Sequence, residues 1–171
     1  MKSSPLRIIA TGGTFDKRYD PVRGSLSFDH SCLPALIAES RIQPAPEIDV
    51  TMLVDSLDMT PAQRLALVDC CRQAPQTRLV VIHGTDTLVK SAAAIAAAGL
   101  EKTIVLTGAM VPARIRASDA PFNLGFALAA ASLLPNGVWV AMNGLILRWD
   151  QIRKNREAGL FEAVLSTPGT T

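Results

Sequence analysis

The sequence holds only two histidines, His30 and His83, which leaves a histidine-based catalytic triad little choice. Cysteine is scarce too. Cys32, Cys70 and Cys71 make an odd count with two neighbours adjacent, a pattern that supplies neither a disulfide framework nor metal-ligand spacing. That usage fits a reducing compartment. No apolar run approaches membrane-spanning length, and Met1 to Arg7 has no apolar stretch of the kind a secretory leader needs. The expectation is a cytoplasmic protein.

Charge is also thin. The formal net charge of +2 is too small for an electrostatically driven binder of nucleic acid or membrane. Charged residues make up 19% of the chain, so part of the surface is expected to be covered by another copy of the chain in a homo-oligomer. Aromatics reach only 5%, and the core must therefore be built from Ala, Leu, Val and Ile. Several familiar signatures are missing: no G-x-G-x-x-G, no P-loop, no H-E-x-x-H and no G-x-S-x-G elbow. What remains is a hydroxyl nucleophile served by something other than histidine.

The 171 residues suit one domain, with an apolar share of 49% that is ample for a core. Short apolar runs at Leu6–Thr11, Ile48–Val54, Leu79–Ile82, Thr103–Leu106 and Val138–Met142 read as strands, with Leu145–Leu147 a further short one. Helical spacing occupies Ser31–Glu39, the stretch from Thr60 to before Pro75, Leu88–Ala98 and Pro121–Leu134. Thr60–Pro61 is a helix start with a chemical cause, since Thr accepts an orphan N–H and Pro needs no donor there. Gly99 is a natural helix terminator. Thr14 to Phe28 reads as a long surface loop. Strands that alternate with helices and lack in/out alternation predict an α/β fold, an open parallel sheet flanked by helices. Residues 1–165 are expected to form a single domain and 166–171 a flexible tail.

In such a sheet, ligands bind beyond the carboxyl ends of the strands. Those ends read Thr11–Gly12–Gly13–Thr14, Asp55–Ser56–Leu57–Asp58, His83–Gly84–Thr85–Asp86–Thr87 and Thr107–Gly108–Ala109–Met110. Four ends bearing Gly, hydroxyl or carboxylate point to a site. Each has a plainer reading as well. Gly12–Gly13 also suits a turn needing positive φ, and Thr14 a turn cap. Thr85 and Asp86 stand where an N-cap for the Ala-rich helix belongs, and Asp119 before Pro121 reads as another cap. His83 reads as structural. Arg148, Arg153, Lys154 and Arg156 form a basic run of the sort that usually lines a solvated face.

At these loops the sequence resembles the asparaginase–glutaminase family, the threonine amidohydrolases of bacterial type. The matching stretches are Ala10–Thr11–Gly12–Gly13–Thr14, His83–Gly84–Thr85–Asp86–Thr87, Gly108–Ala109–Met110 and Ser118–Asp119–Ala120–Pro121–Phe122–Asn123–Leu124. The likeness implies the family's Rossmann-like N-terminal domain and hydrolysis of an amino-acid side-chain amide through a threonine ester. On that likeness Thr14 is the nucleophile, and Thr85 is the second threonine, linked to Lys154 as base. Asp86 holds the substrate's α-amino group, and Ser56 receives its α-carboxylate. The backbone at Ala109 meets the scissile amide, and Tyr19, the one tyrosine, assists Thr14. The substrate implied is asparagine, with glutamine the other candidate. No metal or organic cofactor is expected.

The chain also departs from the family. The family's second, smaller domain, which lends acidic and amide groups to a neighbouring subunit's site, has no counterpart before Thr171, so the chain reads as a short form. Leu57 replaces a glutamine common at that place. Missing groups would come from a partner copy, through Glu157, Glu162 or the Thr14–Phe28 loop. Three readings stay open. One is an active amidohydrolase. Another is a module that binds an amino acid in the same pocket without turnover. The last is a nucleic-acid surface made by the basic run with Trp149. Retention of both Thr14 and Lys154 favours the first.

Overall fold

The computed structural model describes residues 6–164. The tail expected at 166–171 lies outside the described residues. Ten strands occur among the described residues: β1 (Leu6–Gly12), β2 (Arg18–Asp20), β3 (Ser25–Ser27), β4 (Glu47–Val54), β5 (Arg78–Ile82), β6 (Thr103–Thr107), β7 (Gly137–Met142), β8 (Leu145–Arg148), β9 (Ile152–Asn155) and β10 (Leu160–Ala163). The helices are α1 (Leu33–Glu39), α2 (Pro61–Gln73), α3 (Leu88–Ala97) and α4 (Ala120–Leu133).

Six strands form one sheet in the order β4-β1-β5-β6-β7-β8. The first five run parallel, while β8 turns back antiparallel to β7. The expected parallel sheet is thus a mostly parallel one with an antiparallel edge. A tight turn explains the reversal: Asn143 (φ 49°) and Gly144 (φ 90°) leave no room for a crossover. The chain steps from β1 out to β4, then crosses back to β5, so the switch in strand order lies between β1 and β5. A crevice is expected there.

Alternate residues of each strand face opposite helical layers. Ile8, Ala10, Val80, Ile82, Val105 and Ala141 pack with α1 and α4. Ile9, Leu79, Val81, Ile104, Leu106 and Val140 pack with α2 and α3. Both faces of the central strands are therefore dry, which is why the sequence shows apolar runs there instead of alternation. Helix α2 starts as expected: Thr60 accepts from the Gln63 N–H, and the Gln63 side chain accepts from the Thr60 N–H.

Two hairpins depart from expectation. Thr14–Phe28 is not an unstructured loop: it opens with a 3-10 turn at Thr14–Asp16 and continues as the antiparallel pair β2–β3. The second pair, β9–β10, carries the C-terminal basic residues. Ile152 and Phe161 anchor it to the α2–α3 side of the core.

Candidate active site

Four strand-end loops meet so closely that side chains are excluded. Gly13 has φ 70°, and a Cβ there would lie 2.4 Å from the Gly84 Cα. A Cβ on Gly84 would lie 2.5 Å from the Ser56 Cβ, and one on Gly108 2.4 Å from the His83 carbonyl oxygen. The glycines are therefore more than turn formers. They let the loops after β1, β4, β5 and β6 stack across the switch point.

Thr14 stands at the start of the turn that leaves this stack. The turn is held from several sides. Gly13 N–H donates to the Val54 carbonyl at 2.9 Å, and Ala113 N–H donates to the Phe15 carbonyl at 3.1 Å. Phe15 is fully buried, and the buried Asp16 carboxylate accepts from the Ser31 hydroxyl and the Cys32 N–H, both at 2.9 Å. Burial, with the Asp16 charge adding to it, pushes the Cys32 thiol up to about 12, so it stays a thiol. The Thr14 hydroxyl itself has no hydrogen-bond partner among the described residues.

Lys154, on β9, reaches back to the loop after β5. Its Nζ donates to Thr85 Oγ1 at 2.8 Å and to Asp86 Oδ1 at 2.9 Å, with the lysine side chain only 12% exposed. Arg156 Nε lies 3.4 Å from the same Asp86 oxygen. Neither Thr85 nor Asp86 caps α3. The N-cap is Thr87, whose hydroxyl instead donates to the Ser56 carbonyl at 2.8 Å. The capping reading of Thr85 and Asp86 is thereby excluded. Beyond β4, Lys17 pairs with Asp55. Burial raises the Asp55 carboxyl, but Lys17, the Leu57 N–H and the more distant Lys154 together hold it below its ordinary value.

The structure thus brings Thr85, Asp86 and Lys154 into direct contact and stacks the Thr14 and Ser56 loops beside them. Ser56 and Ala109 are buried. Tyr19 is not part of this group: it lies on β2, 60% exposed, opposite Leu26. Glu162 is engaged by Arg153 and Asn155, and Leu57 is exposed. Among the described residues no three His, Cys, Asp or Glu side chains are grouped to hold a metal ion. The basic run is ion-paired throughout, with four cations on three carboxylates: Arg148 pairs with Asp150, Arg153 with Glu162, and Lys154 and Arg156 with Asp86. Trp149 packs against the core. It also lines a hollow of about 660 Å³ beside Gly99, Leu100 and Gly137, at the amino ends of the parallel strands and away from the stacked loops. Size alone therefore does not locate the chemistry.

Asp119 is placed differently from expectation. It occupies the N-cap position of α4 without capping it. Its carboxylate accepts instead from the Met110 and Val111 N–H groups at 3.0 Å, and from the Asn123 and Asn143 side-chain amides at 2.9 and 3.1 Å. Burial pushes this carboxyl up, but the Met110 and Val111 N–H groups and the Asn143 amide outweigh it and hold it below its ordinary value. Asn123, fully buried, also donates to the Gly108 carbonyl at 3.0 Å and accepts from the Asn143 N–H at 3.0 Å. Together they clamp the loop after β6. The spacing of Asp119 and Asn123, one helical turn apart, was the available signal.

This chain belongs to the asparaginase family: the family model described as Asparaginase, N-terminal, matches residues 5–167. It is 35% identical over 146 residues to a glutamyl-tRNA(Gln) amidotransferase subunit of Aeropyrum pernix, covering 80% of this chain and 34% of that protein. It is 30% identical over 179 aligned positions to L-asparaginase 1 of Escherichia coli, covering 97% of this chain and 52% of the relative. The thermostable L-asparaginase from Thermococcus kodakarensis superposes with a TM-score of 0.82 at 26% identity, over 93% of this chain and 51% of that one. The chain therefore spans a third to a half of the length of these relatives.

Proposed function

We propose that this chain is an amidohydrolase that releases ammonia from the side-chain amide of asparagine through a Thr14 ester. The observation that supports it best is Lys154, which donates at once to Thr85 and Asp86 beside the glycine stack that bears Thr14. In this reading, which needs Lys154 as the uncharged amine, Thr14 Oγ1 attacks the amide carbon and its proton passes to the Thr85–Lys154 pair, leaving Lys154 as the ammonium. Ammonia leaves with that proton. Water then cleaves the ester, and Thr14 regains a proton as aspartate departs. Asp86 receives the substrate ammonium in place of Arg156, whose contact is the longer of its two ion pairs. Ser56 meets the α-carboxylate, and Ala109 the departing amide. Tyr19 joins only if the β2–β3 hairpin folds inward over Thr14.

The backbone N–H groups of Thr14 and Thr85 donate to nothing among the described residues. They are therefore free for an oxyanion, where one such donor is worth about 3 kcal/mol. Cysteine usage supports a cytoplasmic setting, and no helix among the described residues is long and apolar enough to cross a membrane. The low charge content supports assembly with further copies, and a one-chain mass in light scattering would remove that part.

The test is ammonia release by the purified chain with asparagine and with glutamine. Release from asparagine is expected. The name of the archaeal relative, part of an amidotransferase, favours a second reading in which glutamine is the donor; release from glutamine alone would select it. Aspartate binding with no release from either amide would leave a binding module.

A further inference from the structure

Arg64 is a buried cation without an anion. It is 8% exposed, and its NH1 donates to Ser91 Oγ at 2.5 Å and lies 3.2 Å from the Met59 sulfur, with no carboxylate paired to it among the described residues. Burying a guanidinium without a paired carboxylate is costly. The chain of contacts continues. Ser91, fully buried on α3, lies 2.8 Å from His83 Nε2, and His83 Nδ1 lies 2.8 Å from the Gly84 carbonyl oxygen.

The proton positions follow from what each atom can do. A carbonyl oxygen only accepts, so Nδ1 carries the imidazole proton and donates it to Gly84. Nε2 is then the acceptor and takes the Ser91 hydroxyl proton. Ser91 Oγ in turn accepts from Arg64. Taken in this order the bonds point one way: from the Arg64 charge, through Ser91 and His83, to the Gly84 carbonyl. The peptide that carries this carbonyl also carries the Thr85 N–H. Carbonyl and N–H lie in one plane and point in opposite directions. Pinning the first aims the second away from the ring, and that N–H has no partner within the described residues.

We propose that Arg64, Ser91 and His83 are positioning residues that lock the Gly84–Thr85 peptide, so that the Thr85 N–H is presented to the oxyanion formed at the Thr14 site. The inference rests on the amidohydrolase reading above. It assigns His83 a task that neither proton transfer nor packing describes: the ring touches no substrate, yet it sets the direction of a donor that does. Gly84 is required for the same reason, because a Cβ would push against Ser56 and tilt the plane.

Two substitutions separate this role from packing. Asn at position 83 puts an amide N–H where Nδ1 stands and keeps the bond to Gly84; Gln extends toward Ser91 and loses it. His83→Gln is expected to lower kcat about 10- to 100-fold with little change in KM, and His83→Asn to recover most of that loss. Equal losses in both variants, or unchanged kcat in His83→Gln, would overturn the proposal. If neither variant folds, Ser91→Ala serves: several-fold lower kcat at constant KM supports the proposal, and unchanged kcat refutes it. Nitrogen-15 NMR of the unmodified chain gives a readout independent of activity. An Nδ1–H imidazole, with a Thr85 amide that shifts when aspartate is added, supports the positioning role; an Nε2–H ring or a Thr85 amide unmoved by aspartate counts against it. If the unmodified chain releases no ammonia, the amidohydrolase reading falls by itself, and these resonances still decide the positioning claim.

Discussion

Thr14 and Lys154 sit 140 positions apart in the sequence, and the proposed reaction needs both. Thr14→Ala removes the attacking oxygen, and Lys154→Met removes the group bonded to Thr85 and Asp86. Each is expected to cut kcat by at least about 1,000-fold while the unfolding midpoint stays near that of the unmodified chain. Full activity in Thr14→Ala would mean another nucleophile. Gly84→Ala tests the stack directly. Its Cβ would meet Ser56 at 2.5–2.6 Å, so a loss of about 1–3 kcal/mol in denaturant unfolding is expected, with a raised KM because Ser56 is displaced. The glycines and both threonines were legible because each ends an apolar strand. The role of Asp119 was not. Asp before a helix that opens Ala–Pro reads as a cap, and nothing nearby in sequence reveals that its donors come from Met110 and Val111.

Elements differ in legibility for a physical reason. The central strands β1, β5 and β6 were readable because both of their faces are buried, whereas the edge strand β4 is only half-buried, with Val50 exposed, and was readable from its apolar residues alone. The hairpins were not. In β2 and β3 the side chains face mostly solvent, so Arg18–Tyr19–Asp20 and Ser25–Leu26–Ser27 carry no pattern. In β9 only Ile152 of four residues is buried, so the strand that delivers Lys154 looks like a charged surface run. At this scale the clamp formed by Asp119, Asn123 and Asn143 joins three elements: the loop after β6, the start of α4 and the β7–β8 turn. Asp119→Ala leaves the Met110 and Val111 N–H groups without their acceptor. A loss of about 2 kcal/mol is expected, with Asp119→Asn intermediate. An unchanged thermal midpoint in Asp119→Ala would show that the clamp contributes nothing.

For the molecule as a whole, pH acts through His83. Burial chiefly lowers its pKa to about 4 from 6.5; the Gly84 carbonyl opposes that and the Arg64 charge adds to it. A histidine kept neutral in the folded state contributes stability that is fully present above about 6.5 and is lost as pH falls towards about 4. The shift corresponds to on the order of 3 kcal/mol. Asp55 and Asp119, lowered from 3.8, and Glu162, lowered from 4.5, lose their contributions only at lower pH, so the interval between 6.5 and about 5 reports His83. Urea unfolding at several pH values should show that slope in the unmodified chain and a flatter one in His83→Gln. A single sheet shared by both hydrophobic clusters also leads us to propose that residues 1–165 unfold as one unit. Two separate transitions in calorimetry would refute it.

The contact of Gly13 with Gly84 exists only because β1 and β5 are in register, with Ala10 opposite Ile82. A slip of one residue between those strands would carry the Thr14 loop past its neighbour and replace the gap between two bare backbones with a collision. The proposed site is therefore an all-or-nothing property of strand alignment: an intermediate with helices formed but the central pair misaligned has no vestige of it to be rescued by ligand. Amino-acid ligands should accordingly protect the whole molecule against unfolding and leave no locally ordered remnant behind.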